Sequence, residues 1–116
     1  MHERALLGRS GEDLAARMYL DAGYDVIRNY RCTYGEMDLI ALRPGSVVFC
    51  EVKTRSTSYF GMPAEAVGYS KQSRLRRIAA HWLAEHRPGR VEVRFDVVSV
   101  IVTDRGSELT HIPSAF

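Results

Sequence analysis

The stretch that most constrains the fold is residues 35–55, GEMDLIALRPGSVVFCEVKTR, whose pattern indicates two apolar strands joined by one turn. The strongest turn signal within it is the Pro-Gly dipeptide at positions 44–45. A symmetric loop about that dipeptide places Asp38 directly opposite Glu51. We therefore predict a β-hairpin in which two carboxylates face each other across neighbouring strands.

The two faces of this hairpin differ in character. One face, which includes Met37 and Leu39, is apolar along nearly its whole length, whereas the other is apolar only next to the turn. Further from the turn, the second face carries four charged residues: Glu36, Asp38, Glu51 and Lys53. Since a solvated face is expected to be polar along its full length, the abrupt change indicates a site at the end of a core.

Two facing carboxylates destabilise a strand pair by roughly 0.2–1 kcal/mol even when they are exposed. In a partly buried setting, such a pair either shares a proton or holds a cation. Oxygen ligands without a neighbouring His or Cys suit Mg²⁺ or Mn²⁺, and Lys53 on the same face can contact a phosphate. The alternative is a surface charge network in which Glu36 pairs with Lys53, and periodicity alone leaves both interpretations open.

The composition fits one soluble domain spanning all 116 residues. The formal net charge is only +2, so the distribution of basic residues says more about partners than their sum. The sequence does not favour a zinc site, because its two cysteines form no C-x-x-C pair and its four histidines are dispersed. No secretory signal or membrane-spanning run is visible, so we expect a cytoplasmic protein without a membrane partner.

Helical signals occur on both sides of the hairpin. Residues 10–23 predict a helix with Ser10 as N-cap, Gly23 after its end and a buried stripe of small and apolar residues: Leu14, Ala15, Met18 and Ala22. Residues 70–89 predict a second helix with Ser70 as N-cap and an apolar stripe: Leu75, Ile78, Ala79 and Trp82.

Strand signals fill most of the remaining chain. Residues 24–34 and 91–104 predict strands, and residues 108–116 predict a short terminal strand. Residues 56–69, with two glycines and a proline after position 60, predict a long loop. This order of elements predicts one mixed sheet with helices packed against it.

The charged residues also carry a family resemblance. Asp38, followed on the next strand by Glu51-Val52-Lys53, resembles the PD-(D/E)XK nuclease signature, with Met37 in place of its proline. The wider pattern over residues 8–102, including FGMPAEAV and KQSRLRRIAAHWL, resembles the YraN family of bacterial proteins, a largely uncharacterised group related to archaeal Holliday-junction resolvases. This resemblance implies an α/β, restriction-endonuclease-like fold with a central mixed β-sheet flanked by helices.

The resemblance also implies roles for individual residues. Asp38 and Glu51 match the metal-binding acids of the signature, and Lys53 matches its catalytic lysine. Glu12, which from the residues alone is more simply a surface glutamate in the first helical turn, matches an acid that completes the metal and catalytic site in the resolvase branch. Gln72 matches a helix position where related nucleases place a polar residue near the site. The implied cofactor is Mg²⁺ or Mn²⁺.

We therefore hypothesise a metal-dependent nuclease that hydrolyses phosphodiester bonds in DNA, with branched or damaged DNA as candidate substrates. Polar side chains near the hairpin and on the second helix are predicted to bind the nucleic acid: Arg28, Arg31, Arg55, Lys71, Gln72, Arg74 and Arg77. A homodimer is implied by the resemblance only. The alternatives are a nucleic-acid-binding module with little intrinsic activity, or an interaction protein whose charges form an ion-pair network.

Overall fold

The computed structural model describes residues 3–56 and 67–116, with side chains from Ser10 onward. Within these residues the chain forms two helices and five strands. In chain order they are α1 (Glu3–Asp21), β1 (Asp25–Cys32), β2 (Gly35–Arg43), β3 (Ser46–Ser56), α2 (Tyr69–His86), β4 (Glu92–Thr103) and β5 (Gly106–Ile112). Neither of these two helices is long and apolar enough to cross a bilayer.

The strands form one mixed sheet in the order β1-β2-β3-β4-β5. β3 and β4 are parallel, and the other neighbouring strands are antiparallel. Val48 packs in the core cluster that contains the α1 residues, whereas Phe49 packs in the cluster that contains the α2 residues. Because successive side chains of a strand point to opposite faces, α1 and α2 cover opposite faces of the sheet. The predicted mixed sheet flanked by helices is confirmed.

The first helix begins earlier than predicted and buries a different side. Since α1 starts at Glu3, Ser10 lies inside the helix and is not its N-cap. Gly11 packs directly against β3, where an added Cβ would collide with the Thr54 side chain. This close approach turns the side that includes Ala15 toward the sheet.

The buried residues of α1 follow from that close approach. Ala15, Ala16 and Tyr19 are buried, whereas Leu14 and Ala22 are exposed, so the predicted stripe is wrong at those two positions. Two small residues below Tyr19 allow the helix backbone to lie close to the strand. Helical spacing indicated an apolar side but could not show which small residue meets the sheet.

The end of α1 agrees with the predicted role of Gly23. Its φ of 89° lies in the left-handed region, which favours glycine. The amide of Tyr24 donates to the Tyr19 carbonyl at 3.0 Å, and the Gly23 amide donates to the Leu20 carbonyl at 3.0 Å. These two bonds form a Schellman motif, which satisfies carbonyls at the helix end and directs the chain into β1.

The second helix confirms the predicted apolar stripe and corrects the predicted cap. α2 begins at Tyr69, and Gly68 in an extended conformation precedes it, so Ser70 is not the N-cap. The helix ends at His86, and the following Arg87 is its C-cap. The Arg87 amide donates to the Leu83 carbonyl at 2.9 Å. The predicted stripe is buried: Leu75, Ile78, Ala79 and Trp82.

The remaining predicted elements are strands and one loop. β4 matches the strand predicted at residues 91–104. β5 begins at Gly106 and ends at Ile112, so the strand predicted at residues 108–116 is wrong for its last four residues. The loop predicted at residues 56–69 lies outside the described residues from position 57 to position 66. The described chain resumes at Val67, whose side chain packs in the core on the α2 side of the sheet.

Candidate metal and catalytic site

The backbone pairing of β2 with β3 ends where their charged residues begin. The predicted hairpin register is confirmed from Arg43 opposite Ser46 to Leu39 opposite Cys50, and the described pairing ends there. At the next position, the Asp38 side chain, rather than a backbone carbonyl, is the hydrogen-bond acceptor for β3. Its Oδ2 accepts a hydrogen bond of 2.8 Å from the Val52 amide. Asp38 is therefore fixed at the point where the two strands separate.

The alternation of side chains along β2 is interrupted at the same point. Met37 packs with Ile40 on the α2 side, although Leu39 packs on the α1 side. In the register of β1 with β2, Asn29 lies opposite Asp38, and its φ of 55° is left-handed. The prediction that Met37 shares a face with Leu39 is therefore wrong, because the interruption reverses the faces of the residues before Asp38.

The same interruption separates Glu36 from Lys53. Glu36 forms an ion pair of 2.8 Å with the exposed Arg31 on β1. The predicted pairing of Glu36 opposite Lys53 is not found, because the Glu36 carboxylate pairs with Arg31 on the other neighbouring strand. The alternative interpretation, a surface charge network with Glu36 paired to Lys53, therefore lacks the ion pair on which it depended.

Asp38 and Glu51 face each other as the hairpin register predicts, and their carboxyl groups share a hydrogen bond. Burial, that hydrogen bond and the Glu51 charge raise the pKa of Asp38 to about 8. Burial alone would raise the pKa of Glu51, but the Asp38 hydrogen bond and the Lys71 ammonium outweigh it and lower that pKa. The pair therefore holds one proton near neutral pH, and the proton resides on Asp38.

Two lysines lie beside Glu51. Lys71, on α2, places its Nζ 2.6 Å from Glu51 Oε2, and Glu51 is only 7% exposed. Burial lowers the pKa of Lys53, and contact with the Lys71 ammonium lowers it further. Burial opposes the ionisation of Lys71, but its hydrogen bond to Glu51 raises its pKa overall. Lys71 therefore neutralises Glu51, and Lys53 is the lysine that more readily loses its proton.

Lys71 is predicted only as a nucleic-acid contact, yet it belongs to this cluster. The sequence contains a signal for that position, since Lys71 precedes Leu75 by four residues and therefore lies on the buried stripe of α2. What the sequence does not contain is the packing of that stripe over Glu51. A charged residue on an apolar stripe indicates a buried partner, and the fold identifies it.

Glu12 lies on α1, at the edge of the carboxylate pair. Burial raises the pKa of Glu12, and the negative charge of Glu36 raises it further. The Arg28 guanidinium, 3.8 Å away, lowers that pKa but does not outweigh burial. In the orientation that satisfies its hydrogen bonds, the Asn29 amide donates to Glu12 and to Glu36 at 3.2 and 3.0 Å. The Glu12 charge in turn contributes to the raised pKa of Asp38, so Glu12 acts on the pair electrostatically.

The carboxylate pair has the ligand chemistry of a magnesium site. Among the side chains described at residues 10–56 and 67–116, no three or more from His, Cys, Asp or Glu come together as a metal-ligand group. Mg²⁺ is commonly held by one or two carboxylates with waters and phosphates, so Asp38 and Glu51 suffice. A proton on Asp38 and the Lys71 ammonium balance the charge that a divalent cation would balance.

Two predicted phosphate-binding arginines form ion pairs within the protein. Arg28 contacts Asp13 at 2.7 Å, and Arg31 contacts Glu36 at 2.8 Å. Both arginines are on β1, and the Arg31 side chain is 80% exposed. Exposed ion pairs contribute little to stability, so phosphate can compete for these guanidinium groups at small cost.

The other predicted nucleic-acid contacts are dispersed. The Gln72 side-chain amide donates to the Val67 carbonyl at 3.0 Å, so it supports the start of α2. Arg74 and Arg77 are exposed on α2, and Arg55 is partly exposed near the end of β3. The arginines of α2 therefore form the predicted basic surface that is most open to a ligand.

A further buried carboxylate, Asp96 on β4, is not among the predicted site residues. It is fully buried, and the Tyr19 hydroxyl donates to its Oδ2 at 2.7 Å. The Arg94 guanidinium donates to both of its oxygens at 2.7 and 2.9 Å, and the Ser114 amide donates to Oδ1 at 3.0 Å. His111 Nε2 lies 2.7 Å from Oδ2. This cluster joins α1, β4, β5 and the C-terminal residues.

Removing the two paired carboxylates should affect stability in opposite directions. In Asp38→Asn, the amide can still accept from Val52 and donate to Glu51, so the metal-free protein should be at least as stable as the wild type. Glu51→Gln leaves two lysines without their counter-charge, and we expect it to lose about 1–3 kcal/mol. Thermal and urea unfolding of both variants in EDTA provide the measurement.

The pH dependence supplies an internal control for that comparison. Because the folded pKa of Asp38 lies above its unfolded value, its proton stabilises the fold below about pH 4, and this contribution is lost as pH rises through about 8. The advantage of Asp38→Asn should therefore grow with pH, by up to about 1.4 kcal/mol per unit. A structural ion-pair network predicts instead that Asp38→Asn is destabilised at every pH.

Comparison with known proteins places this site in a family context. A family model described as "Uncharacterised protein family UPF0102" matches residues 11–100. A UPF0102 protein of Nocardia farcinica is 51% identical over 102 aligned positions, which cover 87% of this chain and 80% of the relative. A UPF0102 protein of Frankia casuarinae is 48% identical, and the alignment covers 100% of this chain and 100% of the relative. A UPF0102 protein of Streptomyces griseus is 50% identical, and the alignment covers 96% of this chain and 95% of the relative. These names state no activity.

Proposed function

Because the chain belongs to the uncharacterised protein family UPF0102, the YraN family, we propose its function from its own site: a metal-dependent nuclease that hydrolyses phosphodiester bonds in DNA. The observation that carries this proposal is the pair formed by the half-buried Asp38 and the buried Glu51, with Lys53 beside it, where two strands separate. A mixed sheet with one helix on each face supports the finer interpretation of a restriction-endonuclease-like fold.

Asp38 and Glu51 are the residues that would hold Mg²⁺ or Mn²⁺. When bound, a divalent cation polarises a phosphate oxygen and lowers the pKa of water. The Val52 amide orients the Asp38 carboxyl, which must release its proton before it can serve as a ligand. Lys71 must also leave Glu51 to make that oxygen available, and its position on the first turn of α2 leaves it free to turn toward a phosphate.

Lys53 and Glu12 would act from different elements. Lys53 has a lowered pKa, so it can take up a proton from attacking water or, when charged, stabilise the phosphate oxygens. Glu12 belongs to α1 and influences the pair through its charge, so it serves best to orient water beside Asp38. The arginines on α2 would hold backbone phosphates without reading base sequence.

The test is cleavage of labelled linear, flapped and four-way-junction DNA by the purified protein with Mg²⁺, Mn²⁺ or EDTA. We expect cleavage that requires the divalent ion and is abolished by Asp38→Asn, while DNA binding is retained. Asp21→Asn, at an exposed position at the end of α1, is the matched carboxylate control and should cleave like the wild type. Binding without cleavage on every substrate would contradict the nuclease proposal.

A second candidate is a nucleic-acid-binding module without turnover. The Lys71–Glu51 ion pair favours it, since an internal ammonium already satisfies the carboxylate that a metal would need. Under that proposal, Asp38→Asn and Lys53→Ala should leave every measurable property of DNA binding unchanged, and added Mn²⁺ should not raise the melting temperature. The nuclease proposal predicts a rise in melting temperature that Asp38→Asn removes.

A further inference from the structure

A surface groove lies between the turn that joins β1 to β2 and the exposed side of α2. Its volume is about 430 Å³. Six residues line it: Tyr34, Tyr69, Ser70, Ser73, Arg74 and Arg77. The groove therefore combines aromatic rings, hydroxyls and guanidinium groups on one surface, and none of the roles assigned above uses its tyrosines.

The two tyrosines are unusually exposed for large side chains. Tyr69, at the first position of α2, is 87% exposed, and Tyr34, on the β1–β2 turn, is 47% exposed. Tyr34 makes an edge-on contact with His81, with ring centroids 6.2 Å apart, so its position is supported from α2. Exposed rings that line a basic groove provide flat apolar surfaces on which unpaired bases can stack.

The two arginines supply the matching charge. Arg74 and Arg77 lie one helical turn apart on α2, and both line the groove. The aliphatic stem of Arg74 lies against the β1–β2 turn, since a Cβ added at Gly35 would be 3.7 Å from its Cδ. The Arg74 side chain is therefore supported along the groove, and both guanidinium groups line it, where they can pair with a phosphate backbone.

Two elements connect the groove with the carboxylate pair along the chain. Ser70 of the groove is the sequence neighbour of Lys71, which contacts Glu51. Along β2, Asp38 follows Gly35 by three residues, which corresponds to about 10 Å of extended strand. A strand whose phosphate reaches the carboxylates can thus place adjoining nucleotides in the groove.

We propose that this aromatic–arginine groove binds unpaired nucleotides of the substrate strand, by stacking bases on Tyr34 and Tyr69 while Arg74 and Arg77 hold the phosphates. This inference rests on the proposed nuclease function and narrows its substrate class. The substrate is DNA with a single-stranded portion beside the cleaved bond, such as a flap, a branch or a frayed end. A continuous duplex leaves the tyrosines without bases to stack on, because its bases are paired and stacked with each other.

The test measures binding without cleavage. Fluorescence anisotropy in EDTA gives the affinity of a short labelled oligothymidylate and of a duplex of equal length for the wild type and its variants. Since stacking contributes about 1–3 kcal/mol per base, Tyr69→Ala and Tyr34→Ala should each weaken oligothymidylate binding by about 5- to 150-fold. Tyr69→Phe retains the ring and should stay within about twofold of the wild type.

Matched controls separate stacking from charge. Leu20→Ala removes an exposed apolar side chain from α1, away from the groove, and should change neither affinity. Competition with inorganic polyphosphate, which has charges but no bases, should be weakened by Arg74→Ala and Arg77→Ala but not by Tyr69→Ala. Oligothymidylate binding that survives both tyrosine-to-alanine changes, or an equal loss of duplex and polyphosphate binding, would overturn the inference.

The two proposals fail in different assays. If the groove does not bind unpaired bases, the tyrosine variants bind oligothymidylate like the wild type in EDTA, whatever happens to cleavage. If the protein is not a nuclease, cleavage is absent with Mg²⁺ or Mn²⁺, although binding in EDTA still depends on the tyrosines.

Discussion

Replacing Asp96 with Asn is expected to lower the free energy of unfolding by about 3 kcal/mol or more. Both oxygens of this fully buried carboxylate accept hydrogen bonds: Oδ1 from Arg94 and Ser114, and Oδ2 from Tyr19 and Arg94. An amide presents one NH₂ group, so whichever oxygen it replaces, donors face a donor. The Arg94 guanidinium also loses its counter-charge in a largely buried position.

The pH dependence identifies the cause of that loss. Burial would raise the pKa of Asp96, but bonds from Arg94, His111 and Tyr19 outweigh it and lower that pKa. A lowered folded pKa contributes stability that is present above the unfolded value, near pH 4, and is lost as pH falls through the folded value. The difference between the wild type and Asp96→Asn should therefore be full at pH 7 and shrink in acid.

Asp104→Asn, on the exposed turn between β4 and β5, is the matched control and should change stability by less than about 0.5 kcal/mol. Urea unfolding at pH 7 and at pH 3 measures all three proteins. If Asp96→Asn unfolded at the same urea concentration as the control, the cluster would not be holding α1 to β4 and the C-terminal residues.

Lys53→Ala is expected to reduce cleavage by about 10²–10⁴-fold, whereas Lys71→Ala should retain cleavage within about tenfold. The two lysines lie beside the same carboxylate, but their pKa values move in opposite directions. Lys53 is the lysine prepared to exchange a proton or to contact the phosphate. Lys71 instead forms an ion pair with Glu51 and so competes with a metal for that carboxylate. Its removal should therefore tighten Mn²⁺ binding.

Single-turnover cleavage with saturating Mn²⁺ measures the first effect, and calorimetric titration with Mn²⁺ measures the second. Lys53→Arg keeps a positive charge but cannot lose its proton, so it separates charge stabilisation from proton transfer. Equal losses in Lys53→Ala and Lys71→Ala would contradict the assignment of different roles. Unchanged Mn²⁺ affinity in Lys71→Ala would contradict the proposed competition for Glu51.

The hairpin was the most predictable part of the site, because turn chemistry and apolar alternation agree over its length. Those two signals are local, and they place Asp38 opposite Glu51 without any knowledge of the rest of the fold. They fail at Glu36 and Met37, because pairing ends and alternation is interrupted beside Asn29. Nothing in local periodicity marks an asparagine that adopts a left-handed conformation.

Other parts of the site depend on tertiary packing. Lys71 meets Glu51 because α2 packs on the sheet face that its apolar stripe covers. Asp96 accepts hydrogen bonds from α1, from Arg94 on its own strand and from the C-terminal residues. A charged residue within an apolar pattern was the available signal in both cases. Such a signal shows that a partner exists, whereas only the packed fold shows which residue it is.

The most direct test of the central claim is an anomalous difference map from crystals of the protein grown or soaked with Mn²⁺. We predict a peak roughly 2.0–2.6 Å from an oxygen of Asp38 and an oxygen of Glu51, with the Lys71 ammonium displaced from Glu51. Crystals in which Mn²⁺ binds elsewhere, while Lys71 remains on Glu51 and no peak lies between the carboxylates, would contradict a metal site at Asp38 and Glu51.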